Sequence, residues 1–119
     1  SWCKEFHCIP KNYLEAISEA DFDESTYVVI VTPKHVSDEE ILAAVARKPH
    51  AYIGMIGSSR KVETLRNRFL RENILSKNEL DDIDMPIGIK FLAETPQEIA
   101  ISILAKLIDV RNSIISANL

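Results

Sequence analysis

Six consecutive residues, Tyr27-Val-Val-Ile-Val-Thr32, leave this chain little choice of fold. The run is apolar and β-branched, so it favours a strand over a helix. It has no polar side to turn towards water. A strand of that kind has to be covered on both faces, as in a parallel sheet. A second such run, Ala51-Tyr-Ile-Gly-Met-Ile-Gly57, follows after about one helix length. Between the two, Ser37-Asp-Glu-Glu40 reads as a capping box: the Ser37 hydroxyl accepts from a free amide and Glu40 reaches back. The helix it opens carries Ile41, Leu42, Val45 and Ala46 on one side and stops at Lys48-Pro49. Strand, helix and strand in this order form a right-handed crossover, which makes the chain an α/β protein.

The remaining elements fit the same alternation. Cys3 to Ile9 reads as a strand, and Pro10 opens a helical stretch, Lys11 to Ala20, with Tyr13, Leu14 and Ile17 at helical spacing. Asp21 to Ser25 is an acidic turn. A helix over Ser59 to Arg71 buries Val62, Leu65 and Phe69. Residues 76–84 form a loop with room for one helical turn, and Ile87-Gly-Ile89 is a short strand. The clearest helix start is Thr95-Pro-Gln-Glu98, with Thr95 as N-cap, Pro96 in the first turn and Glu98 completing the box. From it a helix with Ile99, Ile103, Leu107 and Val110 on one face runs to about Ile115. At 119 residues the expectation is one domain.

Composition narrows the function. With 46% hydrophobic and 27% charged residues the chain is neither disordered nor membrane-like, and no apolar run approaches the roughly 18–20 residues a bilayer requires. No secretory leader pattern opens it, so a cytoplasmic location is the expectation. A net charge of −4 argues against a general nucleic-acid binder. The charge is uneven, however. Arg60, Lys61, Arg66, Arg68 and Arg71 face one acid, Glu63, within a single helix. Cys3 and Cys8 flank His7 with no second Cys/His group nearby, so a metal site is not expected and the thiols read as small strand side chains.

In a doubly wound sheet, ligands sit at the carboxyl ends of the strands. That rule selects three segments. In Gly57-Ser58-Ser59-Arg60-Lys61 a strand enters a helix whose first amides are free, a setting for an anion. Arg60 and Lys61 oppose the helix dipole there, each at a cost of about 0.3–1 kcal/mol, which a bound phosphate would offset. The plainer reading is that both side chains reach solvent or Glu63 and that Gly57 allows a tight turn. In Thr32-Pro-Lys-His35-Val-Ser-Asp38, His35 either bonds a ligand, pairs with Asp38 or is an ordinary surface residue. A hydrolytic triad from Ser37 or Ser58 with His35 and Asp38 lacks the Gly-x-Ser-x-Gly turn that would support it. In the third segment, Gly88 allows close approach of the backbone. Glu94 lies outside the Thr95 capping box and is not explained by it.

These segments, in this order, resemble the C-terminal Rossmann-like domain of the XdhC/CoxI family. The resemblance rests on Thr32/His35/Asp38, on Tyr52 to Lys61, and on Pro86-Ile-Gly88 with Thr95-Pro-Gln-Glu-Ile-Ala100, and covers about residues 27 to 111. It implies a partial Rossmann-like, three-layer α/β/α fold with a mainly parallel sheet. It also implies an accessory, chaperone-like protein rather than an enzyme, one that binds molybdenum cofactor (molybdopterin) as cargo. Such a protein assists sulfuration of the cofactor with a cysteine desulfurase and delivers it to a xanthine dehydrogenase-type or CO dehydrogenase-type molybdoenzyme. Carried onto this chain, Thr32, His35, Gly57, Ser58, Ser59, Arg60, Lys61 and Glu94 are the candidate cofactor-binding residues, with the phosphate at the Ser58–Lys61 helix start.

The family's glycine-rich Gly-x-Gly-His loop and the strand before it have no counterpart here, so Cys3 to Ile9 aligns with a third strand and the domain reads as N-terminally incomplete. Phe91-Leu-Ala93 and Asp84-Met85 also depart from the family pattern. An incomplete sheet leaves Tyr27–Thr32 with an open apolar edge, from which a homo-oligomer, strand exchange or pairing with the absent segment is expected. Two other functions remain in view. One is an oxidoreductase-like domain using NAD(P) or a flavin nucleotide, which would need the missing glycine-rich turn. The other is a structural or interaction remnant with no ligand.

Overall fold

The computed structural model describes residues 5–88 and 95–117. Its elements in chain order are α1 (Tyr13–Glu19), β1 (Tyr27–Ile30), α2 (His35–Val45), β2 (Tyr52–Met55), α3 (Ser59–Arg71), α4 (Lys77–Asp81) and α5 (Pro96–Ala117). β1 and β2 pair in parallel, Tyr27 opposite Tyr52 through Ile30 opposite Met55, as the two apolar runs require. The far side of β2 takes one further parallel rung, Gly54 opposite Asp84. Asp84 donates to Ile53 O at 2.9 Å and accepts from Met55 N–H at 3.0 Å, and Ile87 N–H reaches Met55 O at 2.9 Å. Pairing therefore begins at Asp84 instead of in the expected strand Ile87 to Ile89. Pro86, which has no N–H, interrupts it. Ile89 lies outside the described residues.

The two faces of the sheet differ. Ile30, Ile53 and Met55 join Leu42 and Val45 of α2, Leu65 and Phe69 of α3, and Leu75, Leu80 and Ile83 in one buried cluster, against which Tyr13 and Ile17 of α1 pack. On the opposite face Tyr52 and Gly54 look towards Asp84 and Ile87. An added Cβ at Gly54 would run into the Tyr52 hydroxyl and the Ile87 side chain. Gly88, with φ 102°, sits against Ser102 of α5, and this contact brings the long helix beside the Asp84 rung.

Helix α3 spans the residues its apolar spacing predicts, with Val62, Leu65 and Phe69 buried. At α5, Thr95 Oγ1 accepts from Glu98 N–H at 3.2 Å and its hydroxyl donates to Glu98 Oε2 at 2.7 Å, in keeping with the expected cap. The expected box at Ser37 to Glu40 does not form. Helix α2 starts three residues earlier, at His35, after Lys34 and with no side-chain cap. The cause is Asp38, which accepts from Thr32 N–H at 3.0 Å and so folds the turn back on the strand end. Asp38 N–H already bonds Lys34 O at 3.2 Å, which leaves Ser37 inside the first turn.

A capping box that the sequence analysis did not single out opens α4, between Ser76 and Glu79. Residues 5–9 are not a strand; they are exposed and irregular, with Phe6 84% exposed. Among the described residues β1 has β2 as its one strand neighbour, and residues 5–9 do not occupy its open outer edge. Cys8 is free and exposed, and Cys3 lies outside the described residues. No helix among the described residues is long and apolar enough to cross a membrane.

The α2–α4 junction sets a pH dependence. Glu79 is held at about 2, from an ordinary 4.5, first by its bond to the Arg47 side chain and then by the Ser76 amide. Arg47 Nε meets Glu79 Oε2 at 2.8 Å and its Nη2 meets Ile74 O at 3.1 Å. A lowered folded pKa means that the contribution is complete above about pH 4.5 and is lost as pH falls towards about 2. Glu79→Gln should therefore flatten the acid limb of stability across that window, read as urea midpoints at successive pH values. An unchanged slope would contradict this assignment.

Candidate functional site

The carboxyl ends of β1 and β2 are held together one residue past their pairing by Ile56 N–H to Ile30 O at 3.0 Å. Beyond that bond the chains part, one towards α2 and the other towards α3. The gap is a cleft of about 220 Å³ lined by Thr32, Pro33, Asp38, Ile56, Gly57 and Lys61. This is where the strand-end rule places a ligand.

One wall is the start of α3. Ser58 is the N-cap and its hydroxyl accepts from Lys61 N–H at 3.2 Å. The first intrahelical bond is Val62 N–H to Ser58 O at 3.0 Å, so the amides of Ser59 and Arg60 precede the helical ladder and have no partner within it. The first turn holds no acid. Further along the helix two of the three cations are tied down: Arg66 meets Asp81 at 2.6 Å, and Arg68 meets Glu39 at 2.7 Å and Glu72 at 3.6 Å. No ion pair among the described residues reaches Arg60 or Lys61, both of which are exposed. Glu63 is not their partner. Positive charge, free amides and the positive end of the helix dipole thus converge on one mouth, the arrangement that holds an anion.

The other wall is the β1–α2 turn. Asp38 is only 6% exposed, and its Oδ1 takes both the Thr32 amide at 3.0 Å and the Thr32 hydroxyl at 2.7 Å. That hydroxyl is also 2.7 Å from Lys34 O, so its single proton serves one acceptor at a time. Three of the predicted residues, Thr32, Gly57 and Lys61, line the cleft directly. Ser58, Ser59 and Arg60 form the helix start beside it. His35 is described only by its backbone, as the first residue of α2, and Glu94 lies outside the described residues. Sequence reading missed Asp38 as a lining residue, having considered it as a partner for His35. The turn signal Thr-x5-Asp was present but gave no hint of which donor it would serve.

A second, larger cleft of about 460 Å³ lies beside the Asp84 rung, lined by residues of the Ile83–Gly88 turn with Lys106 and Asp109 of α5. At its edge the Tyr52 hydroxyl donates to Asp84 Oδ2 at 2.5 Å. Burial first, and then this bond and the carboxylate charge, push the Tyr52 phenol well above its ordinary range. It is a neutral donor that ties the Asp84 turn to β2.

Against known proteins, a family model described as the XdhC Rossmann domain matches residues 4–107. The uncharacterized protein YqeB of Escherichia coli is 37% identical over 98 residues, 82% of this chain and 18% of that protein. A Bacillus subtilis protein described as a probable subunit of xanthine dehydrogenase is 27% identical over 84% of this chain and 28% of its own length. A solved structure described as a xanthine dehydrogenase from Bacillus halodurans is similar at a TM-score of 0.70 with 30% identity, over 88% of this chain and 29% of that one. The chain thus spans less than a third of each of these proteins. Its match to the family model over nearly its whole length, on a parallel α/β framework, places the chain in the XdhC Rossmann domain family.

Proposed function

We propose that this chain is the cargo-holding part of an accessory factor for a xanthine dehydrogenase-type molybdoenzyme, and that it grips the phosphate of molybdopterin at the start of α3. The observation that carries the reading is the pair Arg60 and Lys61, exposed and without ion-pair partners among the described residues, in a first turn that holds no acid. A cleft of 220 Å³ is smaller than the roughly 300–1,000 Å³ of a pocket that encloses a whole small molecule. It suits the anionic end of a larger ligand, the remainder of which lies beyond the cleft. The names of the relatives support the link to xanthine dehydrogenase. In this reading the receiving molybdoenzyme and a cysteine desulfurase that sulfurates the cofactor are the partners. The chain binds and positions its cargo and itself makes and breaks no bond.

Calorimetric titration with molybdopterin tests the proposal. The Arg60→Ala/Lys61→Ala variant should bind about 100-fold more weakly or worse, since two charge-assisted contacts are each worth about 1.5–3 kcal/mol. Equal affinity in the variant would sink it, and binding of NAD(P) in place of molybdopterin would favour a nucleotide-using domain. The homo-oligomer belongs to the same proposal, because β1 has no strand on its outer side among the described residues. Sedimentation over a concentration series should show self-association, and a monomer throughout would remove that part.

A further inference from the structure

Among the described residues, Asp38 uses one carboxylate oxygen and leaves the other without a hydrogen-bond partner. Both of its hydrogen bonds, from the Thr32 amide and hydroxyl, end on Oδ1. An asparagine would serve the same two donors, so the turn does not account for the second oxygen. No fully buried side-chain oxygen or nitrogen among the described residues lacks a partner. Oδ2, which has no partner among the described residues, is therefore not sealed in the core, and Asp38 lines the cleft with Lys61. A negative carboxylate in a cleft built for an anion is unfavourable by itself, since like charges repel in a partly dry space. The conflict disappears if the ligand brings its own donor to Oδ2.

We infer that the cleft selects anions that carry a hydroxyl or N–H donor next to the charged group, with Asp38 Oδ2 as the acceptor and the α3 start as the anion seat. The ligand class is a phosphomonoester with a neighbouring donor, as opposed to a bare or alkyl phosphate. This rests on the anion reading above and adds the selectivity to it. Sites of this kind discriminate strongly, because a ligand without the donor leaves a largely buried polar group unpaired. The lining residues divide accordingly: Lys61 and Gly57 belong to the anion end, and Asp38 and Thr32 to the donor end.

The test is an amide-resolved NMR titration of the 119-residue chain with glycerol 3-phosphate and with propyl phosphate, which share the phosphoester and the three-carbon stem. The hydroxylated ester should bind about tenfold more tightly. In Asp38→Asn that preference should vanish, while propyl phosphate binds as before or better because a repelling charge is gone. An unfolding curve of the variant checks that the Thr32 turn survives. Lys61→Ala should weaken both ligands together. Equal binding of the two esters by the unaltered chain would overturn the role of Asp38 and leave the anion seat standing. If neither ester shifts the amides of residues 57–61, the anion seat falls and the inference with it.

Discussion

Phe69→Ala should lower the stability of the fold by about 3–5 kcal/mol, the range for deleting a buried aromatic side chain. Phe69 is 1% exposed and is among the largest fully buried side chains described. It projects from α3 into the cluster that contains Ile53 and Met55 of β2, Leu42 and Val45 of α2, and Leu80 of α4. Its loss opens a void where several elements meet, so collapse of any one of them cannot fill it. The total stability of a domain this size is about 5–15 kcal/mol, so the variant would be close to unfolding. Urea denaturation followed by circular dichroism measures the effect, and a loss below about 1 kcal/mol would contradict the packing described. The site should suffer as well, because the same helix presents Ser58, Arg60 and Lys61 at its other end. Ligand binding to the folded state should restore part of the lost stability by mass action.

Gly54→Ala comes next in size, at about 1–3 kcal/mol. The new methyl group would meet Ile87 Cδ1 at 2.5 Å and Cγ1 at 2.7 Å, and would press on the Tyr52 hydroxyl. The Ile87 side chain can rotate away. Tyr52 cannot move as cheaply, since its hydroxyl is bonded to Asp84 Oδ2 and its ring lies 6.1 Å from that of Tyr27. The substitution therefore acts through the Asp84 rung and loosens the turn that leads to α5. Tyr52→Phe separates the two causes: it removes the bond without crowding and should cost less than Gly54→Ala. Thermal unfolding of the two variants side by side gives the comparison. A Gly54→Ala protein as stable as the parent would mean that this face is open.

What could be read from the sequence followed the strength of local signals. The two apolar runs, the bounds of α3 and the Thr95 start of α5 each combine periodicity with a cap or an uninterrupted apolar stretch, and all three stand in the structure. Pairing decided by distant residues could not be read. The Tyr52–Asp84 bond spans 32 positions, and it moves the third rung from Ile87 back to an aspartate, a poor strand former. Ser37 looked like a cap because its box spacing is correct. Asp38, one residue on, reached back to Thr32 and started α2 earlier. Cys3 to Ile9 reads as a strand by propensity, yet residues 5–9 are irregular and leave the outer edge of β1 open, because propensity alone does not decide pairing. For the site, the helix start was legible because backbone amides and first-turn cations are local features. The opposite wall was not, because the second oxygen of Asp38 acquires meaning only when the turn brings it beside Lys61.

The anion seat at the start of α3 can be tested by a ¹H–¹⁵N correlation spectrum of the chain recorded with and without molybdopterin. The largest changes should fall on the amides of Gly57 to Lys61, with Ser59 and Arg60 foremost, and on Thr32 across the cleft. Changes centred on the Ile83–Gly88 turn with Lys106 and Asp109, or none at saturating ligand, would contradict it.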